Sequence, residues 1–140
     1  MVDQYNLFHL LHQTTRSFSK SFNEKIAPTG LYMAQWTVIY YLIQNGPSSQ
    51  ITMSSYLNLE APTMTRTLNR LEELGFIVRK EGKDRREKII HLTELAIEKV
   101  PEWEQQVMEF EQPLFEQLTE EEMEMTRNVL NKINHIIQNK

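Results

Sequence analysis

The chain has 140 residues, of which 40% are hydrophobic and 24% charged, the size and balance of one ordinary soluble domain able to bury a core without disulfides or a structural metal. It contains no cysteine, which removes every thiol-based mechanism. No run approaches the ~20 apolar residues of a membrane span, and MVDQYNLFHLL has neither the positive lead nor the small-residue cleavage site of a signal peptide, so a cytoplasmic location is expected.

Residues 3–26 are predicted to form a helix with Leu7, Leu11, Phe18 and Phe22 on one broad face, stopped ahead of Pro28. From Leu31 to Gln44 the chain is almost continuously apolar, the pattern of a helix buried nearly all round, and Asn45-Gly46-Pro47 ends it. Thr52 is expected to cap a short helix through Leu57, with Asn58 to Ala61 as the turn after it. Pro62 suits the first position of the next helix, and Gly75 suits its left-handed end. Within those limits Met64, Leu68 and Leu71 form an apolar stripe, while Thr65, Arg66, Asn69, Arg70 and Glu73 fall on the opposite side. After Gly75 the period changes to that of strands. FIVRKE and EKIIHL are rich in β-branched residues and flank the polar turn Gly82 to Arg86, which predicts a hairpin with cations at its tip.

From Thr93 onward the chain reads as helix again, with a kink or break expected at Pro101 or Pro113. Thr119 followed by Glu122 is a capping box opening a last helix, in which Met123, Val129, Leu130, Ile133, Ile136 and Ile137 supply apolar surface. The fold class expected is therefore mainly α with a small β-hairpin wing: a winged helix-turn-helix over 31–92, with flanking helices in 1–30 and 93–140.

The formal net charge of −4 argues against a polyanionic partner until its distribution is considered. From Leu31 to Leu92 eight Lys/Arg stand against six Asp/Glu, a balance of +2, whereas the remainder has seven against thirteen, a balance of −6. Arg79 to Lys88 alone carries six cations and three anions. A helix presenting Arg, Asn and Thr can enter a major groove, where Arg and Asn have the donors to read guanine and adenine edges, and an Arg-tipped loop can reach a minor groove. Any one of these arginines by itself reads as a solvated helix face, paired with Glu72 or Glu73. The helix and the wing together point to double-stranded DNA, with Thr63, Thr65, Arg66, Asn69, Arg70, Lys83, Arg85 and Arg86 as the contacting set.

Leu57, Thr65-Arg66, Leu71-Glu72-Glu73-Leu74-Gly75, Arg79, Asp84-Arg85-Arg86 and Leu92-Thr93 follow one another in an ordered pattern that extends to Leu118-Thr119-Glu120-Glu121-Glu122-Met123. In that pattern the chain resembles the MarR family of bacterial transcription regulators. Tyr32 stands where the family has a capping Thr, and Ala96 where a Gly often follows the L-T pair. The resemblance implies a homodimer on a palindromic operator, with the flanking helices as dimerisation region, and a cleft for a small aromatic or anionic ligand near Arg16, Phe18, Met33 and Trp36. Taken singly, those four residues read rather as core plus one solvated Arg, since pocket linings and cores share the same composition. The peroxide sensing through cysteine used by one branch of the family is excluded by composition.

His9 and His12 share a helical face that His135 could approach, but no carboxylate lies one turn beyond His12, so no metal is expected there and no cofactor elsewhere. No nucleophile motif or phosphate loop is present, so the chain is not expected to be an enzyme. Two functional readings remain: a homodimeric DNA-binding regulator, a repressor released by a small ligand, and a winged-helix module that docks protein instead of DNA. A wing bearing Lys83, Arg85 and Arg86 where apolar anchors would serve a protein partner favours the first.

Overall fold

The computed structural model describes residues 4–84 and 86–139, so Arg85 lies outside the described residues. The chain opens with helix α1, Gln4–Ile26, followed by a single 3-10 turn over Ala27–Thr29 that contains Pro28. Helix α2, Met33–Asn45, starts without a Thr cap. The Tyr32 N–H donates to Gln35 Oε1 at 2.7 Å and the Met33 N–H to Asn23 Oδ1 at 2.7 Å, so two side-chain amides satisfy the N-cap and first helical N–H groups, which are not the ones a Thr hydroxyl would take. The helix is not buried all round as its apolar content suggested. Trp36, Val38, Ile39, Tyr41 and Leu42 are buried, but Tyr40 is half exposed, its ring resting on Trp36 and its hydroxyl end free to stay in water.

A two-residue strand absent from the sequence reading, β1 (Ser48–Ser49), precedes helix α3, Gln50–Leu57. The cap of α3 is Ser49 and not Thr52: Ser49 is extended, and its Oγ accepts the Thr52 N–H at 3.1 Å. Thr52 is thus the third residue of the helix, where its own N–H needs an acceptor. Asn58, at φ 57°, closes α3. Helix α4 spans Ala61–Glu73, which places Pro62 second and not first, a position that likewise has no intrahelical acceptor for an N–H.

Strands β2 (Ile77–Glu81) and β3 (Lys88–Leu92) pair antiparallel from Ile77↔Leu92 to Glu81↔Lys88, and β1 adds to the free side of β3 through Ser48↔Ile90 and Ser49↔Ile89. The sheet order is β1-β3-β2. Helix α5, Glu94–Glu116, passes through both Pro101 and Pro113 without a break, contrary to one of the two outcomes expected. Each proline removes one bond to the carbonyl four residues earlier, and those carbonyls belong to the exposed residues Ile97 and Glu109, where water can replace the bond. The buried face of Ala96, Trp103 and Val107 keeps the helix packed on the core across the first proline.

Helix α6, Glu120–Gln138, opens with the expected capping box: the Thr119 N–H donates to Glu122 Oε1 at 2.9 Å, and the Glu122 N–H to Thr119 Oγ1 at 3.0 Å. These bonds from Thr119 hold the Glu122 carboxyl below the usual carboxylate range.

Val38, Ile39, Met53, Met64, Leu68, Leu71, Ile77 and Ile90 are all essentially inaccessible and bring α2, α3, α4 and the sheet to one core. Phe76 against Trp103, ring centroids 4.8 Å apart, ties the entry to β2 to α5, and Phe22 against Phe110 at 5.5 Å ties α1 to α5. An ion pair of 2.8 Å between Lys25 and Glu109 reinforces the second contact. Helix α6 contributes no buried residue to this core. No helix among the described residues is long and apolar enough to cross a membrane.

Candidate nucleic-acid interface

The orientation of α4 follows from its stripe. Met64, Leu68 and Leu71 are completely buried, and Thr67 joins them because its hydroxyl donates to the Thr63 carbonyl at 2.9 Å and so carries no unpaired polar group inward. With that face committed, Thr65, Arg66, Asn69 and Arg70 must point to solvent, and all four are exposed. Thr63 is half-buried and its hydroxyl accepts from Arg66 Nη2 at 3.4 Å.

The helix ends in a left-handed Gly75, φ +82°. The Gly75 N–H donates to the Glu72 carbonyl and the Phe76 N–H to the Leu71 carbonyl, both at 3.0 Å, the paired bonds of a Schellman end. Phe76 is thereby aimed into the core and β2 leaves beside the helix. Thr93 locks the same corner from the far strand. Its N–H donates to the Phe76 carbonyl at 3.1 Å, its hydroxyl to the Gly75 carbonyl at 2.6 Å, and it accepts the Ala96 N–H at 3.1 Å to start α5. One threonine thus couples the end of α4, the sheet and α5.

The wing tip is closed by the Gly82 N–H donating to the Glu87 carbonyl and the Glu87 N–H to the Asp84 carbonyl, each at 2.9 Å. The Asp84 carboxylate accepts the Arg86 N–H at 3.0 Å, so the acid at the tip is spent on the turn and not on a cation. The side chains of Lys83 and Arg86 are exposed and have no ion-pair partner among the described residues. A depression of about 750 Å³ separates the wing from the start of α3, lined by Ser49, Gln50, Thr52, Asp84, Arg86 and Lys88 among others. Its hydroxyls, one amide and two cations lie together with the carboxylates of Asp84 and Glu87, so its formal charge is balanced and the unpaired cations of the wing stand at its rim.

Arg70 and Glu73 form the expected pair at 3.4 Å, but with side chains 57% and 68% exposed it is a weak, solvent-screened contact that leaves Arg70 free to exchange partners. Two participants stand outside the contacting set expected from the sequence. Gln50, at the start of α3, donates from Nε2 to Thr65 Oγ1 at 3.0 Å and so stands beside the exposed face of α4. Arg79 on β2 donates to Glu72 Oε1 at 3.0 Å and to Asn69 Oδ1 at 2.9 Å, joining the helix to the wing. Asn69 and Glu72 lie three apart on one helix face, which is the signal that a shared partner was available.

The four residues expected near a ligand cleft are dispersed in character. Arg16 is exposed, Phe18 sits at the edge of the cluster it forms with Phe22 and Phe110, Met33 contacts the Ser19 hydroxyl through sulfur at 3.5 Å, and Trp36 is buried. Trp36 lines a narrow cleft with Ile26, Thr29, Leu31, Trp103 and Val107, which does not include the other three. His9 and His12 are exposed, His135 is within 3.2 Å of the Asn139 amide, and among the described residues no three His, Asp or Glu groups converge as a metal site would require.

Comparison with known proteins agrees with this geometry. A family model for the MarR family matches residues 31–88, the part that contains α2, α3, α4, β2 and the tip of the wing. An uncharacterized HTH-type transcriptional regulator of Bacillus subtilis strain 168, YwoH, is 43% identical over 119 residues, which cover 85% of this chain and 87% of that protein. The crystal structure of MarR superposes with a TM-score of 0.74 at 25% identity, covering 96% of this chain and 98% of that one. A mutant MarR from E. coli complexed with operator DNA shares the fold with a TM-score of 0.83 at 23% identity, over 94% of this chain and 99% of that one. The chain belongs to the MarR family and is a winged-helix transcription regulator, not an enzyme.

Proposed function

We propose that the protein is a homodimeric, cytoplasmic repressor that binds a palindromic double-stranded operator through α4 and the wing and is released by a small aromatic or anionic ligand. The observation that carries the reading is the exposed row Thr65, Arg66, Asn69 and Arg70 on a helix whose other face is fully buried, set beside a wing whose Lys83 and Arg86 lack ion-pair partners among the described residues. Thr63 and Arg85 complete the contacting set. A cationic, hydrogen-bonding helix face next to a cationic loop suits adjacent grooves of one duplex.

The second half of the proposal divides the chain into a DNA-binding region, 31–92, and a dimerisation region, 1–30 and 93–140. What supports it is the uncovered apolar surface of the terminal helices. Leu7, Phe8, Leu10 and Leu11 of α1 and Val129, Leu130 and Ile133 of α6 line one groove of about 390 Å³, and most of these side chains are more than a third exposed. A patch of that kind on two-fold-related copies is self-complementary. Release by ligand rests on family membership and on Phe18, whose ring is 37% exposed at the edge of its aromatic cluster. The test is a salt-titrated binding assay on the intergenic DNA next to the protein's own gene. Steep loss of affinity with salt together with preference over scrambled DNA is expected, and equal affinity for both duplexes would overturn the reading.

A further inference from the structure

Asn69 is held by a partner that can only donate. Arg79 places Nη2 2.9 Å from Asn69 Oδ1 and Nη1 3.0 Å from Glu72 Oε1, and its side chain is only 21% exposed. A guanidinium has five N–H donors and no acceptor, so the atom of the Asn69 amide that faces it must be the oxygen. The two amide atoms diverge from one carbon, and with the carbonyl drawn toward β2 the NH2 end of this exposed residue is the end left for a ligand. The Arg79–Glu72 contact anchors the guanidinium from its other nitrogen, so the fork is fixed at both tines.

We propose that Arg79 is a positioning residue for base specificity: by taking the Asn69 carbonyl it presents Asn69 to DNA as a donor and turns it away from the paired donor-acceptor contact that asparagine makes with adenine. The inference rests on the reading of α4 as a groove-reading helix. Adenine in the major groove offers N7 as acceptor and N6 as donor, and asparagine reads it by using NH2 and carbonyl side by side. Guanine offers two acceptors, N7 and O6, and thymine offers O4. An amide that turns its NH2 end outward matches guanine or thymine, and it offers the adenine N6–H2 only the second lone pair of a carbonyl already drawn toward β2. Arg79 contributes this selectivity without itself touching a base.

The experiment is quantitative binding of the full chain to operator duplexes varied one base pair at a time. The base pair read by Asn69 is identified as the one where Asn69→Ala flattens the preference. At that position the native protein should favour guanine or thymine over adenine, and Arg79→Met, which keeps the aliphatic stem and frees the amide to turn over, should shift the ratio toward adenine by about fivefold or more. Glu72→Gln, which leaves the Arg79 to Asn69 bond in place, should preserve the native preference. Arg79→Lys serves if the Met variant does not fold: one ammonium cannot hold Glu72 and Asn69 in the fork geometry, and a smaller shift of the same sign is expected. A uniform loss of affinity with the native preference intact would make Arg79 a purely structural link and overturn the inference. Adenine preferred by the native protein would also overturn it. If Asn69→Ala alters no base preference while the native protein remains specific, Asn69 is not a reader and this inference alone fails. A native protein with no sequence preference anywhere would sink the groove-reading assignment itself.

Discussion

Gly75 is the corner at which α4 hands over to the wing, and replacing it by Ala isolates one physical term. Its φ is +82°, and a β-carbon built there meets only Leu95 Cδ2 at 3.6 Å, an ordinary van der Waals separation. No overlap contributes, so the cost is that of a left-handed backbone in a residue with a side chain, about 1–2 kcal/mol. Alanine also narrows the unfolded ensemble, which returns about 0.4–1 kcal/mol, so the net destabilisation is on the order of 1 kcal/mol. For a chain of this length that lowers the thermal midpoint by about 2–4 °C, measured by calorimetry at matched protein concentration because self-association would make the midpoint depend on it. Gly75→Asn should recover most of the loss, since asparagine tolerates the left-handed region. An Ala variant as stable as the native protein, or an Asn variant that falls as far as Ala, would refute the assignment of the cost to φ.

Arg86→Ala should weaken operator binding by about 1–3 kcal/mol in a gel-shift or fluorescence titration while leaving the fold intact, because its backbone N–H and not its side chain supports the turn. Ile133 and Ile136 lie one turn apart on α6, Ile133 half-buried and Ile136 59% exposed. Changing both to Asp should give monomer or aggregate by light scattering with operator affinity lost, since an unpaired carboxylate in an apolar seam costs several kcal/mol. The Glu122 carboxyl is held below its usual range by the Thr119 bonds, so its contribution to stability is complete above the ordinary carboxylate pKa and is lost as pH falls through the lowered folded value. Glu122→Gln keeps the cap without the charge. Thermal melts should therefore show the native protein losing more stability than this variant on acidification below the usual carboxylate range.

Helix α4 and the wing were legible because each has a local cause. The stripe of Met64, Leu68 and Leu71 states which side of α4 is buried, Gly75 states where it ends, and the switch to β-branched residues states where the wing begins. The features that were missed depend on partners distant in sequence. Strand β1 is two serines with no strand signature of their own, and it exists because Ile89 and Ile90 offer an open edge some forty residues later. Ser49 was overlooked as a cap because Thr52 sits three residues on in the same hydroxyl-rich run, and only the extended backbone imposed by β1 decides between them. A break at a proline of α5 stayed open in the sequence because propensity speaks of the isolated helix, whereas Trp103 and Val107 anchor this one to the core. Arg79 was visible as a residue of the motif, but its hold on Asn69 depends on how β2 lies against α4.

Binding affinity as a function of the spacing between operator half-sites tests the central claim most directly, because it needs two recognition helices held at a fixed separation by one dimer. The expected optimum has half-sites centred about one helical turn, ~10 bp, apart, so that both α4 helices enter major grooves on the same side of the duplex. Inserting ~5 bp turns one half-site to the opposite side and should reduce affinity to that of a single half-site. Affinity that does not change with the insertion would contradict a two-fold dimer reading DNA through α4.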